Sequence, residues 1–116
     1  MKKELRSDCP IGGSLDIFGD RWSLLIIRDA FWKGYRHYHE FESSPEQIST
    51  NILASRLQLL VQHGIFDKQK DPENKRIYHY TLTPKGQEIA PIMIEMVKWG
   101  AKHCEGTVNL LEKAHG

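Results

Sequence analysis

The stretch from Ser49 to Tyr80 limits what this chain can fold into more than any other: a helical pattern stops at a glycine and a basic hairpin follows. Within it, Leu53, Leu57, Leu60 and Val61 recur at the spacing of one buried helical face. Thr50, Asn51, Ser55, Gln58 and Gln62 fall away from that face, short and polar, with no acid among them. A helix face that only meets water normally carries Glu and Lys. One built from Thr, Asn, Ser, Gln and a single Arg can lie against phosphates and base edges without repulsion. Gly64 stops the helix, and Phe66 to Tyr80 reads as two strands around a Pro72-Glu73-Asn74-Lys75 turn.

A helix with a polar reading face followed at once by a hairpin is the layout of a winged helix. The fold class expected is α+β and mostly helical: a winged helix-turn-helix with a two-stranded wing and N- and C-terminal dimerisation helices. Residues 1–116 form a single domain, with a core over about 9–82 and a dimerisation helix over about 83–104. At 116 residues there is room for one modest core. No apolar run reaches the roughly 18–20 residues needed to cross a bilayer, and no signal-like segment follows Met1-Lys2-Lys3-Glu4. No membrane is therefore expected as a partner, and two cysteines, Cys9 and Cys104, too few for a disulfide framework, point to a reducing cytoplasm.

The net charge of +1 is unevenly spread. Residues 1–48 hold 7 basic and 8 acidic groups, 49–85 hold 6 and 3, and 86–116 hold 3 and 4. The excess lies in the helix-hairpin segment, and a nucleic-acid surface needs only a local patch.

Elsewhere the helix signals are regular. Pro10 suits a first helical turn, with Ile11, Leu15 and Phe18 as an apolar stripe that Gly19 closes. Asp20 is the expected N-cap of a second helix with Trp22, Leu25, Ile26 and Ala30 facing inward, ending by Gly34. Tyr38 to Phe41 is a short third helix anchored by Phe41, and Ser49 caps the fourth. Thr83-Pro84 starts a long C-terminal helix carrying Ile89, Ile92, Met93, Met96, Val97 and Trp99, with Pro91 marking a kink or a displaced start. That helix, with Val108, Leu110 and Leu111, has more apolar surface than one small core can cover, which predicts a homodimer.

Cys9-Pro10, Phe18-Gly19-Asp20-Arg21-Trp22-Ser23-Leu24-Leu25-Ile26-Ile27-Arg28 and Ile48-Ser49-Thr50-Asn51-Ile52-Leu53-Ala54-Ser55-Arg56-Leu57 make the chain resemble the HxlR-type winged helix-turn-helix regulators. Gly64-Ile65, Tyr80-Thr81-Leu82-Thr83-Pro84-Lys85-Gly86 and Lys98-Trp99-Gly100 continue the similarity over about residues 9–100. The resemblance implies a transcription factor that binds operator DNA as a homodimer, with its first and last helices making the dimer. Interface positions are then Ile11, Leu15, Ile92, Met93, Met96 and Trp99. Asp67, at the start of a strand, and the His-rich and aromatic stretch Trp32–His39 depart from the family pattern, and the second leaves room for a ligand or metal role.

The candidate DNA contacts are Thr50, Asn51, Ser55 and Gln58 for the groove, since Asn and Gln can pair two-pronged with adenine. Ser49 serves first as a cap. Arg56 clamps a phosphate or braces the wing. Asn74, Lys75 and Arg76 at the wing turn, flanked by Lys68 and Lys70, meet the backbone or a minor groove, and Lys33 and Arg36 ahead of the third helix are phosphate candidates. Arg21 is assigned to an acid or to the wing. Cys9 precedes a helix N-terminus, where a thiolate is favoured. Some relatives sense oxidants or electrophiles with a cysteine there, so two readings stand: a redox or electrophile sensor, or a thiol packed at the dimer seam. Trp32 has two readings as well, an effector pocket or helix-end packing.

His37-x-His39 places two ligands on opposite faces, and no paired metal motif, catalytic triad order or phosphate loop is present, so neither a metal, a cofactor nor an enzyme is expected. A winged helix that binds protein rather than DNA is the alternative. It would present aromatic or aliphatic anchors where this chain has Thr, Asn, Ser and Gln.

Overall fold

The structure is a computed structural model and describes residues 8–107. Val108, Leu110 and Leu111, part of the expected apolar surplus, lie outside the described residues. Pro10 opens α1 (Pro10–Phe18), where its missing amide costs no helical bond. In the turn that follows, Asp20 Oδ2 accepts the amides of Trp22 and Ser23, both at 3.0 Å, and so starts α2 (Ser23–Trp32). Asp20 thus supplies the capping expected of it, but through a turn: the residue at the N-cap position is Trp22. Then come α3 (Tyr38–Glu42), α4 (Thr50–Gln62), the strands β1 (Phe66–Lys70) and β2 (Tyr78–Leu82), α5 (Pro84–Gln87) and α6 (Ala90–His103). The long C-terminal helix is therefore two helices, with Pro91 in the first turn of the second.

The strands pair antiparallel, Phe66 opposite Leu82 through Lys70 opposite Tyr78. A feature absent from the sequence reading lies on the other edge of β2. His37 bridges to His79, and the Tyr80 amide donates to the Arg36 carbonyl at 2.8 Å. The segment before α3 thereby acts as a one-bridge third strand that fixes α3 to the wing.

The core gathers Ile26, Ile27 and Ala30 of α2, Phe41 of α3, Leu53, Leu57 and Leu60 of α4, Phe66, Tyr80 and Leu82 of the sheet, and Met93 of α6. Burying side chains of this size stabilises the fold by about 1.5–3 kcal/mol each. Two glycines allow the join between α4 and the wing. Gly64 has φ +74°, in the left-handed region, and a Cβ on Gly86 would collide with the Ile65 carbonyl. Thr83 locks this join: its hydroxyl donates to the Gly64 carbonyl and accepts the Gly86 amide.

A largely shielded polar network sets where α4 begins. Arg28 forks onto Glu46, with Nη1 to Oε2 at 2.7 Å and Nη2 to Oε1 at 2.8 Å, and also donates to the buried Asp29. The Ser44 hydroxyl donates to Glu46 at 2.7 Å. The network closes the loop that brings the chain from α3 into α4, including Gln47 at φ 60°. The Arg28 guanidinium holds the Glu46 carboxyl down to about 2.

Because that value is depressed on folding, the stabilisation is complete above about pH 4.5 and is lost as pH falls through about 2. Glu46→Gln should lower stability at pH 7 by roughly 1–3 kcal/mol and flatten the acid limb of a urea-unfolding series between those pH values. An unaltered acid limb would contradict the assignment.

Candidate nucleic-acid interface

With Leu53, Leu57 and Leu60 turned inward, α4 presents Thr50, Asn51, Ala54, Ser55, Gln58 and Gln62 to solvent. Ser49 acts as the cap, its Oγ accepting the Ile52 amide at 3.3 Å. Arg56 is placed differently from the sequence expectation. Its Nε donates to Asp20 Oδ2 at 2.9 Å, so the guanidinium brackets α4 against the start of α2 and is no wing brace. Asp20 is shared between the two roles, which a partner 36 positions away concealed in the sequence. Among the described residues Arg21 pairs with no acid; its guanidinium lies 5.3 Å over the Trp22 ring.

The wing tip carries Asn74, Lys75 and Arg76, all exposed. Asp71 builds its turn by accepting the amides of Glu73 at 2.8 Å and Asn74 at 3.0 Å, while His79 Nε2 lies 2.7 Å from its other oxygen. The His79 contact, then the two amides, hold the Asp71 carboxyl down to about 2. Lys33 is compromised as a phosphate ligand, with Nζ 3.6 Å from Asp29 and over the Tyr35 ring. Arg36 is exposed, and its guanidinium donates to the Tyr35 carbonyl at 3.4 Å.

Two adjoining clefts join the helix to the wing. One, of about 360 Å³, runs between Gln58 and Gln62 of α4, Tyr38 of α3 and Lys68 and Tyr80 of the sheet. The other, of about 340 Å³, continues past Tyr38 and Tyr80 to His37, His39 and Arg76. Lys68 counted in the sequence only as a basic flank of the wing turn; its register, opposite Tyr80, places it in the cleft beside α4. Asp67, on the next position, is exposed and accepts from the Gln69 amide at 2.8 Å.

The histidine expectation needs correction. His37 precedes α3 in an extended conformation, so its ring stacks on His39 at 5.5 Å instead of pointing away. His79 adds a third ring, 4.4 Å from His37. Among the described residues no group of His, Cys, Asp or Glu is positioned to hold a metal ion.

On another face, α1, α2 and α6 leave an apolar hollow of about 590 Å³ lined by Ile11, Leu15, Phe18, Leu24, Leu25, Ile92 and Met96, with others. Ile11 is 71 % exposed, Leu15 58 %, Ile92 43 %, Met96 53 % and Trp99 64 %. Met93, expected with them, is 4 % exposed and belongs to the monomer's own core. It shares an inward stripe with Ala90, three positions earlier in α6 and likewise buried. Trp32 is half-buried in edge contact with Phe31 and lines a shallow hollow of about 200 Å³ with Leu24, Met93 and Val97. Cys9 is exposed at the N-terminus of α1, where the amides of Gly12 and Ile11 lower its thiol pKa. Cys104 is also exposed, just after α6.

A helix-turn-helix whose second helix shows an acid-free polar face beside a basic hairpin defines a winged-helix DNA-binding protein. Residues 17–108 match the family model described as HxlR-like helix-turn-helix, and the chain belongs to that family of transcriptional regulators. It is 36 % identical over 97 residues to an HTH-type transcriptional regulator of Synechocystis sp., covering 84 % of this chain and 71 % of that one. To YodB, an HTH-type transcriptional regulator of Bacillus subtilis, it is 34 % identical over 98 residues, covering 84 % and 87 %. It spans 58 % of the length of a Mycobacterium tuberculosis relative. Among solved structures, PA1607 superposes with a TM-score of 0.79 at 36 % identity over 89 % of this chain and 73 % of that one. Reduced YodB gives 0.66 at 30 % identity, over 88 % and 100 %. YodB has also been solved after diamide treatment and with quinone bound. No helix among the described residues is long and apolar enough to cross a membrane.

Proposed function

We propose that this DNA-binding regulator acts in the cytoplasm as a homodimer on a two-fold-related operator, without catalysis of its own. The observation that carries the reading is the exposed, acid-free face of α4 standing beside the wing. Thr50, Asn51, Ser55 and Gln58 read the major groove, Ser49 meets a phosphate at the helix N-terminus, and Asn74, Lys75 and Arg76 lie along the flanking backbone. Arg36 contributes at the margin. Arg56 and Lys33 serve first as internal pairs with Asp20 and Asp29.

Replacing Asn51 and Gln58 with Ala tests this reading. Each should cost roughly 1–3 kcal/mol on a selected operator and little on random duplex DNA. A double variant with unchanged operator affinity would overturn it.

Ile11, Leu15, Ile92, Met96 and Trp99 support the dimer, because no other described residue covers this exposed apolar face on the outer helices. A second copy related by a two-fold would fill it and space two α4 helices about 34 Å apart. Met96→Glu places a charge in that seam and should move the sedimenting species from dimer to monomer. A wild type that sediments as a monomer at tens of micromolar would contradict the symmetric arrangement.

Cys9 makes the regulator responsive to electrophiles or thiol oxidants. Its depressed pKa and exposure favour the nucleophilic thiolate, and it adjoins the helix carrying Ile11 and Leu15. The relative YodB, solved with quinone bound and after diamide treatment, is compatible with such chemistry. Operator affinity measured before and after diamide or a quinone should change at least severalfold in wild type and stay constant in Cys9→Ser. An equal response in the two proteins would reduce Cys9 to packing.

A further inference from the structure

The wing strand β1 carries a lysine where its register calls for a core side chain. Phe66, Lys68 and Lys70 share one face of β1, opposite Leu82, Tyr80 and Tyr78 of β2. Phe66, Leu82 and Tyr80 are buried on that face. One step further out, Lys68 is exposed, and its ammonium stands 4.2 Å from the centre of the Tyr78 ring and 5.9 Å from that of Tyr80. The rings' electron-rich faces attract the cation and limit where the flexible stem can go. An ammonium held this way loses less freedom on meeting an anion than a lysine swinging in water.

The place where it is held has an unusual composition. Lys68 projects into the cleft of about 360 Å³ between α4 and the wing, and none of the side chains lining that cleft is acidic. Gln58 and Gln62 line the α4 wall with amides that can donate hydrogen bonds. Tyr38 closes another side, and its hydroxyl is already spent on the Thr50 carbonyl at 2.7 Å, which pins α3 to the first turn of α4. The cleft therefore has fixed walls, neutral donors and one positive charge. Lys33 and Arg56, by contrast, are each beside a carboxylate.

We infer that this cleft receives a DNA phosphate, with Lys68 as its cationic ligand, Gln62 as the neutral donor, and Tyr78 as the positioning residue. The assignment rests on the reading of α4 and the wing as the DNA-binding surface. It adds a contact between those two elements, at the root of the hairpin and separate from Lys75 and Arg76 at its tip. A phosphate there would fix how far the reading helix stands from the strand it tracks. Gln58, shared between cleft wall and reading face, would couple backbone position to base contact.

The test is a salt titration of duplex binding by the full chain, followed by fluorescence anisotropy on a selected operator and on random duplex. Lys68→Met keeps the stem over the tyrosines and removes the charge. It should weaken binding severalfold on both duplexes and lower the slope of log affinity against log salt by about 0.9, one phosphate's worth. Lys68→Arg should keep the slope. Tyr78→Leu, which retains the charge and frees it, should weaken binding with an unchanged slope, and Tyr78→Phe should restore wild-type affinity. Melting temperatures of all four variants establish that they fold.

A Lys68→Met protein with wild-type slope would overturn the phosphate site and leave the DNA-binding reading standing. A loss confined to the operator would overturn it too, by making Lys68 a base reader. Wild type with no salt-dependent affinity for any duplex would overturn the underlying reading itself.

Discussion

Everything on the DNA-facing side depends on burial of one face of α4. Leu53, Leu57 and Leu60 are withdrawn from solvent against α2 and the sheet. Truncating any of them to Ala would cost about 2–5 kcal/mol, a large share of the stability of a domain this small. Because a helix has a fixed period, burying those three positions dictates which residues face outward. Thr50, Asn51, Ser55 and Gln58 are exposed as a consequence of where the leucines are. The hydrophobic effect sets the rotation of the helix but has little directional control over its position along its axis.

Axial position comes from polar contacts. The Arg28–Glu46 fork and the Ser44 hydroxyl fix the loop that delivers Ser49 to the helix start. Arg56 on Asp20 brackets the middle of α4, and the Tyr38 hydroxyl on the Thr50 carbonyl holds its first turn. At the far end, Lys85 donates to the His63 carbonyl at 2.7 Å while Thr83 ties Gly64 to the start of α5. The wing follows from that last joint, so helix and hairpin form one surface. Several of these side chains are basic, and their use inside the fold is why only part of the excess positive charge in residues 49–85 is available to a partner.

The periodic and punctuated parts of this architecture were legible in the sequence. The α4 face, the Gly64 stop, the hairpin, the Pro10 and Pro84 starts and the displaced beginning of α6 at Pro91 all follow from local rules. What was not legible depends on distant partners. The edge pairing of Arg36 and His37 with β2 involves too few residues to leave an alternation. The commitment of Arg56 to Asp20 and the stacking of His37 on His39 depend on tertiary placement and on one extended residue before a helix. Met93 turned inward with Ala90 while Ile92 and Met96 lie on the neighbouring stripe, because a broad band of apolar residues does not reveal which edge meets the core. The family resemblance held over residues 17–108, but it could not tell which basic residues were already engaged.

In the proposed dimer, two copies of α4 enter successive major grooves of one duplex. Methylation interference on an operator selected from random DNA tests it most directly, because methylation at guanine N7 blocks the major groove and methylation at adenine N3 blocks the minor groove. The account predicts two clusters of N7 interference, centred about 10–10.5 base pairs apart and related by a two-fold. A single cluster, or interference confined to adenine N3, would contradict it.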